Sequence, residues 1–174
     1  MGDQNHWVFG YGSLIYKVDF PYLRREIATV YGWQRRFWQG SHDHRGTPDA
    51  PGRVVTLVAD NESACKGVAY LVEEQVFEHL DHREKNGYER VDVDIHFSDF
   101  DEVAPGTFYI AAADNHAYLG PMPMDELAAH IARSHGPSGS NVEYVMHLAQ
   151  SLRELGETDA HVEELADLLR RHHV

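Results

Sequence analysis

The chain is poor in cysteine, in basic residues and in long apolar runs. Cys65 is the single cysteine among 174 residues. An internal disulfide is therefore excluded, and the thiol content suits a reducing compartment. Lysine and arginine number 15 against 28 aspartates and glutamates, for a formal net charge of −13. That balance argues against a nucleic-acid or anionic-membrane partner. It also means that a negatively charged substrate needs a pocket rich in local donors. No apolar stretch approaches the ~20 residues that cross a bilayer. The first residues, Met1-Gly2-Asp3-Gln4-Asn5-His6, lack the charged-then-apolar layout of a signal peptide. The expectation is one cytoplasmic domain over residues 1–174, with no membrane segment, acting as a monomer. A chain this long buries a core without a disulfide or metal staple.

What the sequence does contain is organised around Trp7-Val8-Phe9-Gly10-Tyr11-Gly12-Ser13-Leu14-Ile15-Tyr16. An apolar run breaks into Gly-x-Gly-Ser, which predicts a buried strand entering a tight loop. The glycines let main-chain N–H groups approach a ligand, so the loop can hold an anion or oxyanion; equally, it can be a plain turn. Strands are expected from Ala28 to Trp33, ending at Gly32, and over Arg35 to Gly40. The segment from Ser41 to Arg53 reads as a long polar loop. Val54 to Val58 and Cys65 to Val72 read as a hairpin turning at Asp60-Asn61-Glu62. Val91, Val93, Ile95 and Phe97 alternate with Asp92, Asp94 and His96, the pattern of a half-buried strand. Another strand is expected from Gly106 to Ala113. The last third is helical: one helix opens at Pro123, one at Ser140 with Glu143 as a capping box, and one at Thr158 or Asp159. Strands first and helices last predict an α+β fold with a curled or closed sheet flanked by helices.

Glu84 is the candidate for chemistry. A helix from Glu73 to about Lys85, stopped at Asn86-Gly87, puts Phe77, Leu80 and Glu84 on one face at i, i+3 and i+7. A carboxylate ending an apolar stripe is partly desolvated, which raises its pKa and suits a general base near neutral pH. A salt bridge to Arg83, Lys85 or Arg90 is the structural alternative. The 13 histidines, His42 and His44 around Asp43 included, give no metal-ligand spacing. Cys65 falls in a predicted strand as a packed small side chain. Gly10-x-Gly12 with Ile15 in the third position is not a dinucleotide fingerprint. Ser13 is in no Gly-x-Ser-x-Gly elbow.

Several blocks carry a resemblance. Phe9-Gly10-Tyr11-Gly12-Ser13-Leu14-Ile15, Arg35 to Gly40, His44-Arg45-Gly46, Pro51 to Leu57, Leu80 to Tyr88, Tyr118-Leu119-Gly120-Pro121 and Gly136 to Tyr144 resemble, in order, the ChaC-type γ-glutamylcyclotransferases. The resemblance implies a mixed fold around a β-barrel, with no cofactor and no metal. It implies glutathione as the small-molecule substrate, cyclised to 5-oxoproline with release of cysteinylglycine. By position it makes Glu84 the catalytic acid/base and Gly10, Tyr11, Gly12, Ser13, Leu14 and Ile15 the substrate loop. Arg45 and Tyr109 match positions associated with substrate binding. The same pocket could instead serve γ-glutamyl amines or γ-glutamyl amino acids, or bind such compounds without turnover.

Overall fold

The computed structural model describes residues 5–41, 45–84, 88–111, 118–157 and 159–172, and gives the backbone alone at Arg83, Glu84, Tyr88, Ala111 and His172. Its contacts divide the chain into two compact units. One comprises residues 1–34 and 57–115; the other comprises residues 35–56 and 116–174.

The strands are β1 (His6–Gly10), β2 (Arg24–Ser41), β3 (Gly52–Val72), β4 (Tyr88–Phe97) and β5 (Val103–Ala111). In the order β1-β3-β2-β4-β5 they form a closed barrel. In the first unit, β1 runs antiparallel to β3, with Phe9 opposite Ala69. It runs parallel to β5, with Trp7 opposite Gly106. A parallel pair needs a long crossover, so this closure joins segments far apart in sequence. The barrel interior is apolar: Phe9, Val30, Leu57, Ile95 and Phe108 are at most 2% exposed. β4 follows its alternation, with Ile95 and Phe97 buried and Asp92 and Asp94 exposed. Helix α1 (Glu74–Glu84) follows β3 and buries Phe77 and Leu80.

The second unit holds α2 (Met124–Ala132), the two-residue strands β6 (His135–Gly136) and β7 (Gly139–Ser140), α3 (Asn141–Glu154) and α4 (Ala160–His172). The apolar spacing of the sequence puts Leu127, Ala128 and Ile131, then Val145, Leu148, Ala149, Leu152 and Leu155, then Val162, Leu165 and Leu169 inward; all are buried except Leu155, which is half-buried at the C-cap of α3. Ser140 caps α3 by accepting from the Glu143 amide at 3.1 Å. At the start of α4, Asp159 accepts from the Val162 amide at 3.2 Å. None of the described helices is long and apolar enough to cross a membrane.

Two expectations about strands are corrected. The two short strands expected around Gly32 are one, β2, and the strand runs on through Gly32 at φ +87°. A left-handed glycine inside a strand re-aims the chain without ending the pairing. The hairpin at Asp60-Asn61-Glu62 is instead continuous strand, β3. A tight primed turn needs left-handed residues, and no described non-glycine residue has positive φ. The Asp60 carboxylate accepts from the Glu62 amide at 3.2 Å and the Ser63 hydroxyl at 2.6 Å, so these polar residues satisfy one another within the strand.

Candidate active site

β1 ends at Gly10, where the chain folds back sharply. A Cβ on Gly10 would stand 2.7 Å from the Leu14 Cβ, so the close approach requires glycine. Gly12 then caps a 3-10 turn, Ser13–Ile15. The Ile15 amide reaches the Gly12 carbonyl at 2.9 Å, and the amides of Tyr16 and Lys17 reach the Ser13 carbonyl at 3.1 and 2.7 Å. The amides that open the turn, those of Ser13 and Leu14, have no acceptor within it. Ile15, at 4% exposed, anchors the turn, and Ser13 is exposed.

A buried tyrosine holds this loop. Tyr70, on β3, has no exposed surface and donates its hydroxyl to the Leu14 carbonyl at 2.5 Å. Burial pushes the Tyr70 hydroxyl pKa up, against a weaker pull from Arg25, and so keeps the proton for donation. The rings of Phe20 and Tyr22 stand over it at 5.7 and 5.0 Å.

Tyr109, on β5, joins two further elements. Its backbone carbonyl accepts from the Tyr11 hydroxyl at 2.5 Å. Its own hydroxyl donates to Oδ1 of Asp81, on α1, at 3.1 Å. Arg90, on β4, lies 3.4 Å from the same oxygen. The loop, β5 and the C-terminal half of α1 are thus linked through one residue. Helix α1 runs unbroken from Phe77 to Glu84, its last residue. The i, i+3, i+7 backbone spacing therefore stands; the Glu84 side chain, Lys85 and the Asn86-Gly87 stop lie outside the described residues.

Arg45 belongs to the second unit. It is 8% exposed and donates to the Ser140 carbonyl at 3.2 Å. Its guanidinium lies 3.6 Å from the Glu143 carboxylate and 5.8 Å from the centre of the Tyr144 ring. Its backbone amide donates to Ser41 Oγ at 2.9 Å. Tyr144 is 5% exposed and accepts from the Val55 amide, a core role. His42, Asp43 and His44 lie outside the described residues. Among the described residues, no group of three or more His, Cys, Asp or Glu could hold a metal ion. Cys65 is packed in the barrel at 2% exposed.

A family model described as ChaC-like protein matches residues 6–172. The chain belongs to the ChaC-like family. Gamma-glutamylcyclotransferase 2-3 of Arabidopsis thaliana is 43% identical over 176 residues, covering 94% of this chain and 88% of that protein. Glutathione-specific gamma-glutamylcyclotransferase 1 of Rattus norvegicus is 42% identical over 170 residues, covering 92% of this chain and 77% of that one. The crystal structure of a selenomethionine-labelled gamma-glutamyl cyclotransferase specific to glutathione from yeast matches with a TM-score of 0.88 at 34% identity, covering 98% of both chains. The α+β barrel expected of this ChaC-like chain is the fold it has.

Sequence reasoning missed two side chains that hold the loop and helix α1 of this ChaC-like chain, Tyr70 and Asp81. Tyr70 carries a usable signal. A tyrosine inside the apolar run Val68-Ala69-Tyr70-Leu71-Val72 must find a partner for its hydroxyl, and the nearest loop is the place to look. Asp81 carries none, because an aspartate beside a helix stripe is usually solvated.

Proposed function

We propose that this chain is a γ-glutamylcyclotransferase that degrades glutathione to 5-oxoproline and cysteinylglycine. The observation that carries the proposal is the linkage at Tyr109, which ties the loop of backbone donors to the helix that ends at Glu84. The relatives named for this activity support it. The family match over residues 6–172 supports treating the chain as one functional domain. It works on a small molecule as a cytoplasmic monomer.

In this mechanism Glu84 removes a proton from the substrate's α-amino group. The freed nitrogen attacks the γ-carbonyl carbon and forms the ring C–N bond. The amide bond to the cysteine nitrogen breaks, and Glu84 returns the proton to that departing amine. Atoms balance with no water and no cofactor. The closure is five-membered and intramolecular, so holding the γ-glutamyl group in reacting geometry supplies much of the rate. The Ser13 and Leu14 amides, in the loop Gly10 to Ile15, stabilise the oxyanion that develops on the γ-carbonyl or hold the α-carboxylate.

Incubation of the protein with glutathione should release 5-oxoproline and cysteinylglycine in equal amounts, measured by mass spectrometry. No 5-oxoproline would refute the assignment. A competition between glutathione and γ-glutamyl-alanine, read as kcat/KM, should favour glutathione; preference for γ-glutamyl-alanine would move the chain to the wider class of γ-glutamyl amino acids.

A further inference from the structure

The cyclotransferase reading leaves the role of Asp81 open, and a role for it in catalysis depends on that reading. The Asp81 side chain is only 16% exposed. A carboxylate so covered needs hydrogen-bond partners, and it has them on two strands. The Tyr109 hydroxyl donates to Oδ1 at 3.1 Å, and Arg90 stands 3.4 Å from the same atom. Arg90 and Tyr109 are themselves directly opposite in the β4–β5 ladder. The buried anchors of α1 are apolar: Leu80, and Phe77 with its ring stacked on His6 at 4.2 Å. Apolar packing tolerates small rotations and slides, whereas a hydrogen bond between a tyrosine and a carboxylate fixes both distance and direction.

We infer that Asp81 is a positioning residue, which locks the last turn of α1 to β5 through the Tyr109 hydroxyl and so sets Glu84 against the loop whose Tyr11 is held by the Tyr109 carbonyl. Glu84 follows Asp81 by three residues, about 4.5 Å along the helix axis. Fixing one therefore fixes the backbone of the other. An acid/base that must meet one nitrogen and then a second needs placement to a fraction of an ångström. The position of Tyr109 is thus explained by a bridging role, with the loop held by its main chain and the helix by its side chain.

Three variants and two readouts test this. Asp81→Ala and Tyr109→Phe remove the bond, whereas Asp81→Asn keeps an acceptor oxygen. Both bond-deleting variants should lose about 10- to 100-fold in kcat with KM within about threefold of wild type. Asp81→Asn should keep kcat within about threefold. The Asp81→Ala/Tyr109→Phe double variant should be no worse than the poorer single one. Hydrogen exchange at the amides of residues 80–84 should quicken in both bond-deleting variants and not in Asp81→Asn. Tyr109→Phe removes only a hydroxyl, so it carries the test if Asp81→Ala fails to fold. A Tyr109→Phe variant with raised KM and unchanged kcat would overturn the inference and make Tyr109 a substrate contact. Unchanged exchange and kcat in both bond-deleting variants would overturn it too, as would a loss in Asp81→Asn equal to that in Asp81→Ala. Wild-type protein that makes no 5-oxoproline would defeat the cyclotransferase reading instead, and unchanged exchange would then refute the lock independently of activity.

Discussion

Gly10 and Tyr70 act on the same loop, both at Leu14, one by having no side chain and the other by having a long one. Alanine at position 10 would bring a Cβ within 2.7 Å of the Leu14 Cβ, and the turn must open to relieve the overlap. Gly10→Ala should therefore raise KM for glutathione about tenfold or more, with a lowered Tm, and steady-state kinetics with a thermal melt would check both. An unchanged KM would show that the loop amides do not hold substrate. Tyr70→Phe deletes the donor to the Leu14 carbonyl. Leaving a buried acceptor unpaired costs about 1–3 kcal/mol, so urea denaturation should show a loss in that range. The Gly-x-Gly-Ser loop was legible because close backbone approach leaves a composition signature. The helix that carries Phe77, Leu80 and Glu84 at i, i+3 and i+7 was legible from spacing; the chemistry proposed for Glu84 came from the resemblance. Asp81 was not legible, because its partners Tyr109 and Arg90 are brought to it by strand pairing far along the chain.

At the scale of elements, the helices were read closely from sequence. Capping and 3.6-residue periodicity are local, so the Ser140 and Asp159 starts and the buried stripes follow from neighbours, with Leu155 at the end of α3 less covered than its spacing implies. The strands were read as shorter than they are. Gly32 and Asp60-Asn61-Glu62 punctuate the sequence, but β2 and β3 run on through them within the barrel. Helix α4 carries a titratable contact within the second unit. His161 Nε2 accepts from the Phe37 amide at 3.1 Å, which requires the neutral ring. Burial, helped by Arg36 and Arg35 and opposed by Asp159, lowers its pKa to about 4. The unfolded chain therefore binds this proton at higher pH than the folded one. The stabilisation is full above about pH 6.5 and is lost as pH falls towards 4, at up to about 1.4 kcal/mol per unit. His161→Gln retains an acceptor without the titration. Its urea stability relative to wild type should improve steadily from pH 6.5 to pH 4; a constant difference would mean that His161 titrates normally.

For the whole molecule, charge is the informative quantity. The chain carries −13 and its proposed substrate is an anion near neutral pH. The long-range field therefore opposes binding, and the proposed loop amides have to overcome it locally. Salt screens the distant charges first. KM for glutathione should fall by about twofold when ionic strength is raised from about 20 to about 200 mM. A rise would mean that a local positive field governs capture. Barrel closure by β1 on β5 had no counterpart in the sequence, since parallel pairing leaves no local pattern; the resemblance of ordered blocks supplied what periodicity did not. The most direct measurement is glutathione binding and 5-oxoproline release by Glu84→Gln, followed by calorimetry and mass spectrometry on one preparation. The expected result is wild-type affinity with kcat lowered at least about 100-fold; wild-type turnover in that variant would contradict the mechanism.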